Sequence, residues 1–459
     1  MASLALDCAS WDDGVRALPV TPSLSDDVID RRVRAYDFQA PVDLHALVAD
    51  VADLLAHGTL HATHPRYFGL FNPSVRAAGV IGDAVAAVFN PQVGAFWHAP
   101  AANAIERAAL DFFASRAGFD PRSSTAIFTT GGSEANSVAV LTALTRRFPA
   151  FADGGARALD RRPVFYASED AHDSLMKIAH ATGIGRSAVR RVGVDARRRL
   201  DVGALAAAIA RDRAADEEPF LVVGTAGTTG YGAIDPLPAI ADLCAAEGLA
   251  FHVDAAWGGY ALLSDRLRGF LRGIERADSI TWDAHKTLPV PMGAGMFLAR
   301  ASRATAEAFH VSTSYVPDAV SGGVDLYQHS PQWSRRFIGL KVFLTLAELG
   351  AAGIADLVDR QTAVAALLRD ELARAGWTIR SDTPLALVCF SHPELEPSRE
   401  RVPRLLRGLE ARGDAWLSEV RVPAGGSLLR ACVTSHKTNE DDVRALARAL
   451  DRELASLRR

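Results

Sequence analysis

The sequence predicts an α/β fold, a mainly parallel sheet covered by helices and followed by a smaller α+β lobe. Three observations predict it. Between about 124 and 300, short apolar runs rich in β-branched and aromatic residues alternate with helical stretches. Several of those runs are apolar on consecutive residues, as strands buried on both faces are, and strands alternating with helices at this spacing form open parallel sheets. Beyond about 335 the rhythm changes to long Ala/Leu/Arg helices and two apolar runs, LALVCF and LLRACV.

In chain order, the first forty residues read as irregular, broken by Pro19, Pro22 and Pro41. An amphipathic helix is predicted over 42–57, an aromatic loop at HPRYFGLFNPS (64–74) and a helix over 101–117. Seven strands follow: AIFTT (126–130), VFYAS (164–168), VRRVGV (189–194), FLVVGTAG (220–227), LAFHVD (249–254), SITWD (279–283) and GMFLAR (295–300). Helices are predicted between them at 133–147, 172–182, 203–214 and 236–248, and later at 335–375, with a break near Gly350, and 438–458. This divides the chain into an N-terminal helical segment (1–85), a large ligand-binding domain (86–334) and a small C-terminal domain (335–459).

Composition narrows the function. Hydrophobic residues make up 49% and charged residues 23%, the balance of a soluble globular protein. A net charge of −4 without a basic cluster excludes a nucleic-acid footprint. The opening MASLALDCASWDDG lacks a basic stretch and its apolar run is broken by Asp7, so no secretory signal is expected. No run of 18 apolar residues predicts a membrane span. Cys8, Cys244, Cys389 and Cys432 lie far apart without a CxxC, so neither disulfides nor a metal site is expected and a reducing cytoplasm fits. Lysine is scarce: Lys177, Lys286, Lys341 and Lys437 are the only candidates for amine chemistry.

Three constellations carry chemistry. In FTTGGSEANSVAV (128–140) a strand runs through Gly131 and Gly132 into a helix, whose free amides and dipole suit a phosphate; Ser133 is a candidate cap. The motif is neither a Walker loop, since no GK[ST] follows, nor a nucleophile elbow, since Ala135 replaces the second glycine. An ordinary strand-to-helix turn accounts for it equally well. In FHVDAAWGG (251–259), Asp254 ends an apolar strand, where a carboxylate needs a cationic partner; an arginine is the plain alternative to a pyridinium nitrogen. In DSITWDAHKTLPVPMGAGMFL (278–298), Lys286 follows a strand beside His285, in surroundings too apolar for a typical solvated lysine. Desolvation there favours imine formation with an aldehyde. Together these are the anchors that pyridoxal 5′-phosphate (PLP) requires: a phosphate grip, a carboxylate for the ring nitrogen and an amine for the aldehyde.

With these residues in place the sequence resembles the group II PLP-dependent amino-acid decarboxylases, a family that includes aromatic-L-amino-acid, glutamate, tyrosine and diaminobutyrate decarboxylases. The similarity runs from HPRYFGLFNP (64–73) to LRACVTSHKTNEDDV (429–443) and includes the HVDAA and HK signatures. The resemblance implies PLP fold-type I, like aspartate aminotransferase. By it, Lys286 carries PLP, Asp254 pairs with the ring nitrogen, Ala256 packs on one ring face and His172 stacks on the other. Gly132, Ser133 and His285 match phosphate-site positions, and Thr225 a cofactor-contacting threonine. Without the family, His172 reads equally as a helix-start cap. Asp283 stands where some relatives have asparagine near the phosphate, and an acid there must bond through its backbone or face away. Thr287 departs from the usual HKW or HKL.

In this family a loop tyrosine protonates the substrate α-carbon. Within VSTSYVPDAVSGGVDLYQHSPQWS (311–334), Gly322 and Gly323 are the expected flexible points, Tyr327 the expected donor and Tyr315 the alternative. The arginines of SRRF (334–337) reach a carboxylate or form structural ion pairs. The implied activity is decarboxylation of an L-amino acid to its amine, in a homodimer whose partners swap loop residues. Phe96, Trp97, His98, Tyr67 and Phe68 match pocket-lining stretches and lean the substrate towards an aromatic or bulky one. An aldehyde-forming decarboxylase, another PLP lyase or transaminase, and a non-catalytic PLP-binding protein are the rival readings.

Overall fold

The computed structural model describes residues 14–311, 323–395, 400–422 and 425–458. All seven predicted runs form strands of one sheet: β1 Thr125–Thr129, β2 Pro163–Ser168, β3 Val189–Val192, β4 Glu218–Thr225, β5 Ala250–Asp254, β6 Ser279–Asp283 and β7 Gly295–Ala299. Their order is β1-β7-β6-β5-β4-β2-β3. β3, β2, β4, β5 and β6 pair in parallel, and β7 runs antiparallel to both β6 and β1. β1, β2 and β7 are buried along their whole length, which is why they read as continuous apolar runs rather than alternating ones. Helices Gly132–Arg147, Ser174–Ala181, Val202–Ala214 and Leu237–Glu247 supply the intervening segments.

The chain forms two compact units. The larger comprises Val75–Arg360 with Ser381–Leu385 and holds the seven-stranded sheet. The smaller joins residues up to Ser74 to Gln361–Arg380 and Ala386–Arg459. Its antiparallel sheet has the order β10-β11-β9-β8, from β8 Thr378–Ile379, β9 Leu387–Ser391, β10 Ser418–Arg421 and β11 Ser427–Cys432. The division at 85/86 and 334/335 therefore cuts elsewhere than the packing does. Phe68 explains the difference: fully buried in the smaller unit's core, it receives Cys432 N–H on its carbonyl and gives its own N–H to Trp416.

Several helices escape the sequence reading. Asp26–Arg34 (DDVIDRRVR) lies in the stretch expected to be irregular; it buries no residue, and its apolar face is only Val28, Ile29 and Val33, too short a pattern to reveal a helix. Ala77–Phe89 is masked by Gly79 and Gly82, which read as breakers. Gly82 is there for packing, since a Cβ would lie 2.5 Å from Lys341 Cα. Helix Arg401–Arg412 and the short strands β8 and β10 were likewise not anticipated. The long C-terminal helix breaks as expected, with Gly350 at φ 63° inside Gly339–Arg374. Among the described residues no helix is long and apolar enough to cross a membrane.

Candidate active site

Strand periodicity builds the floor of the site. His252 and Asp254 share one face of β5, and Ser279, Thr281 and Asp283 share one face of β6. The parallel register sets His252 beside Ser279 and Asp254 beside Thr281. A buried polar row of this kind is stable only if its members bond one another. Asn136, in the Gly132–Arg147 helix that packs on β5 and β6, completes it. Its Nδ2 donates to Asp254 Oδ2 at 2.8 Å, while Thr281 Oγ1 donates to its Oδ1 at 2.7 Å. His252 Nε2 lies 3.0 Å from the same Oδ1, and His252 Nδ1 2.8 Å from Ser279 Oγ. Asp254 Oδ1 accepts the Ala256 N–H at 3.1 Å. Burial lowers the His252 pKa to about 4, against the opposing charge of Asp254, so the imidazole is neutral.

At the other end, β1 leads into Gly131, the N-cap of the Gly132–Arg147 helix. Ser133 does not cap: it sits inside the first turn, exposed, and Glu134 Oε2 instead reaches back to the Thr130 N–H (2.8 Å) and hydroxyl (2.7 Å). The first amides of this helix have no intrahelical acceptor and suit an anion. Glycine at 132 leaves room for its neighbours, because a Cβ would come within 2.9 Å of Asp283 Oδ2 and 3.0 Å of Ala256 Cβ. His285 accepts the Ala294 N–H on Nδ1 at 3.1 Å, which puts its hydrogen on Nε2, and burial lowers its pKa.

Lys286 ends a single turn, Ala284–Lys286, that leaves β6. Its Nζ is 3.0 Å from Asp283 Oδ2. The Asp283 side chain therefore faces the lysine, neither turning away nor leaving the bonding to its backbone. The contact is an ion pair without hydrogen-bond alignment, and among the described residues both buried carboxylate oxygens lack an aligned donor. Thr225, at the end of β4 beside Asp254, has its N–H held by Asp235 Oδ2 at 2.7 Å, while its buried hydroxyl has no hydrogen-bond partner among the described residues. His172 is exposed and accepts the Ser174 N–H on Nδ1 at 3.2 Å, so it does tie the start of the Ser174–Ala181 helix while leaving Nε2 to carry its hydrogen.

One cavity of about 360 Å³ brings together Gly132, Ser133, His172, Thr225, Asp254, Ala256, Asp283, His285 and Lys286. Asn136 also lines it and was missed by the sequence reading; within GSEANSVAV nothing local separates it from Ser133, Glu134 and Ser137. Tyr327 does not line it. That residue is 8% exposed, packs 4.8 Å from Trp333 between ring centroids and accepts Gln328 Nε2 at 3.0 Å. Tyr315 and Gly322 lie outside the described residues. Phe96 borders a different cavity with Gly323 and Asp325, and Trp97 meets His98 edge-on. Tyr67, stacked on Trp416, and Phe68 serve the smaller unit's packing. Arg335 is structural: buried, it donates to Ser330 Oγ and the Phe128 carbonyl, both at 2.7 Å.

PLP fits this donor set. The helix start would offer amides to its phosphate, the Thr225 hydroxyl, without a hydrogen-bond partner among the described residues, would be left for a polar group of the cofactor, and Lys286 opens onto the same cavity. Comparisons with known proteins agree. Residues 31–392 match the pyridoxal-dependent decarboxylase conserved domain. The chain is 28% identical to an aromatic-L-amino-acid decarboxylase of Bacillus atrophaeus over 94% of its own length and 89% of the relative's. It is 33% identical to the cysteine sulfinic acid decarboxylase of Mus musculus over 73% and 68%. Its structure superposes on the apo form of mouse CSAD with a TM-score of 0.91 and 26% identity, covering 98% of this chain and 96% of that one. A seven-stranded sheet with one antiparallel strand, a separate antiparallel C-terminal sheet and these matches place the chain in PLP fold-type I and in the family of pyridoxal-dependent amino-acid decarboxylases.

Proposed function

We propose that this enzyme decarboxylates an L-amino acid with an aromatic or otherwise bulky, uncharged side chain, releasing the amine and carbon dioxide. One observation carries the substrate class: among the described residues lining the cavity, the only cationic or titratable-base side chains are His172, His285 and Lys286, with no arginine. A substrate with a second acidic group needs a further fixed cation to offset its desolvation.

Bound PLP supplies an electron sink for the carboxylate's departing electrons. In this reading Lys286 supplies the anchoring amine, Asp254 accepts the ring-nitrogen hydrogen, and Gly132, Ser133 and His285 hold the phosphate. His172 and Ala256 would pack against the cofactor, with His172 limiting water at the reacting carbon. Asp283 faces the Lys286 amine and takes no part in gripping the phosphate. A tyrosine of the 311–334 segment delivers the proton to the substrate α-carbon. Tyr327 is packed away from the cavity of its own chain, which shifts that role towards Tyr315.

The test is a decarboxylation screen of tryptophan, tyrosine, phenylalanine, aspartate, glutamate and cysteine sulfinate, with carbon dioxide, amine and aldehyde quantified. Faster turnover of an acidic substrate overturns the substrate class. Aldehyde and ammonia in place of amine overturn the product.

The same reading makes the protein a cytoplasmic homodimer. Helix Leu44–Gly58 buries no residue, and its Leu44, Val48, Val51 and Leu55 form an exposed apolar stripe that a second copy would cover. Cys244, Cys389 and Cys432 are buried free thiols, in keeping with a reducing compartment. A monomer by light scattering, fully active on dilution, counts against the dimer.

A further inference from the structure

We infer that Asn136, held from behind by His252 and Thr281, is a positioning residue that aims the Asp254 carboxylate at the ring nitrogen of PLP. The inference rests on the assignment of Asp254 to that nitrogen.

The hydrogen directions follow from chemistry. A carboxylate only accepts, so the Asn136 atom 2.8 Å from Asp254 Oδ2 is the amide nitrogen and the other is its oxygen. That oxygen in turn only accepts, so Thr281 Oγ1 at 2.7 Å and His252 Nε2 at 3.0 Å both donate to it. With its hydrogen on Nε2, neutral His252 accepts the Ser279 hydroxyl on Nδ1 at 2.8 Å. Thr281 Oγ1 also lies 3.2 Å from His252 Nε2, closing the group. Every donor in the row points towards Asp254, from Ser279 through His252 and Asn136.

The order is enforced by burial. Asn136 is 2% exposed, His252 1% and Thr281 0%, so no water competes for these atoms. Turning the Asn136 amide over would set its NH₂ against two donors and its oxygen against the carboxylate. The amide is thereby fixed, and with the Ala256 N–H on the other oxygen it fixes the plane of the Asp254 carboxylate. A lone Asp at a strand end has rotamer freedom; this one is clamped on both oxygens before any ligand arrives.

The test measures binding rather than turnover. Apoprotein is titrated with PLP and with a PLP analogue carrying carbon in place of the ring nitrogen, following tryptophan fluorescence, for wild type, Asn136→Ala, Thr281→Val and Asp254→Asn. A lost charge-assisted hydrogen bond corresponds to PLP affinity weakened about 10–100-fold for Asn136→Ala. Thr281→Val, which removes one hydroxyl at similar volume, should weaken it less, in the same direction. Neither should weaken binding of the analogue, which offers Asp254 nothing to bond. If Asn136→Ala weakens PLP and analogue by the same factor while Asp254→Asn weakens PLP alone, Asn136 is merely structural and the inference fails. If Asp254→Asn also weakens both equally, the Asp254 assignment fails and takes the inference with it. Should Asn136→Ala not fold, Thr281→Val decides on the same comparison: selective weakening of PLP supports the inference, and equal or no weakening overturns it.

Discussion

At the floor of the cavity both oxygens of Asp254 accept aligned N–H donors, from Asn136 and Ala256. At the lysine end neither oxygen of Asp283 does, although it is the more deeply buried of the two carboxylates. The Thr225 hydroxyl, which also lines the cavity, is likewise buried without a hydrogen-bond partner among the described residues. One end of the site is complete in the protein alone. The other leaves polar atoms without an aligned partner among the described residues. A rigid end can register the cofactor ring, while an unfinished end derives binding energy from what fills it, since each buried polar group that gains a partner recovers its desolvation cost.

The largest effect should come from the unfinished end. Lys286→Ala should abolish turnover and remove the PLP-derived label that borohydride leaves on the wild-type protein. A label found on Lys177, Lys341 or Lys437 moves the anchor. Lys341, also buried, is already engaged by Asp83 at 3.2 Å and the Met292 carbonyl at 2.8 Å. Next come the tyrosines. General acid catalysis contributes ~10²–10⁴-fold, so the true donor's replacement by phenylalanine should lower amine formation by that margin, with aldehyde rising under air. Tyr315→Phe should show the loss and Tyr327→Phe much less; the reverse result returns the role to Tyr327.

The finished end should reveal itself through pH. His252 has its pKa lowered to about 4 by burial, from an ordinary 6.5. Above 6.5 it is neutral in both folded and unfolded chains. As pH falls from 6.5 towards 4 only the unfolded chain takes up the proton, so folding stability is lost across that window, by up to roughly 3 kcal/mol. His64, also lowered to about 4, acts in the same direction from the smaller unit. Urea midpoints at pH 7 and pH 5 should therefore differ less in His252→Gln than in wild type; an unchanged difference removes His252 from the account. The smallest effects separate the two carboxylates by sign. Asp254→Asn should destabilise the apoprotein by about 1–3 kcal/mol, since its new NH₂ faces donors. Asp283→Asn should stabilise it by about 1 kcal/mol, because removing an unaligned buried charge outweighs one partly exposed ion pair. Thermal melts of the two variants check the contrast, and equal signs erase it.

The strands of the large sheet were legible because they are buried on both faces and read as unbroken apolar runs, and the residues that gather at one cavity because glycines, a strand-end Asp and a rare lysine stand out locally. What stayed hidden depends on distant pairing. Asn136 becomes meaningful only when a helix is laid across two strands more than a hundred residues further on. The side-chain direction of Asp283 depends on Lys286 three residues later folding back as a single turn. Tyr327 sits suitably in sequence, yet its ring is taken up by Trp333, a contact that loop composition does not encode. The helix Asp26–Arg34 is announced by only three apolar residues, Val28, Ile29 and Val33, among charged ones.

The tight corner around Gly132 has a bearing on how this enzyme can vary. A side chain there meets Asp283 at 2.9 Å and Ala256 at 3.0 Å, so the three positions share one small volume although they are far apart in sequence. Enlarging any one of them must be matched by shrinking or turning another. Directed evolution of the site should accept changes at 132, 256 and 283 in compensating sets and reject most of them singly, so a library that varies one position at a time will report all three as immutable when only their combined size is.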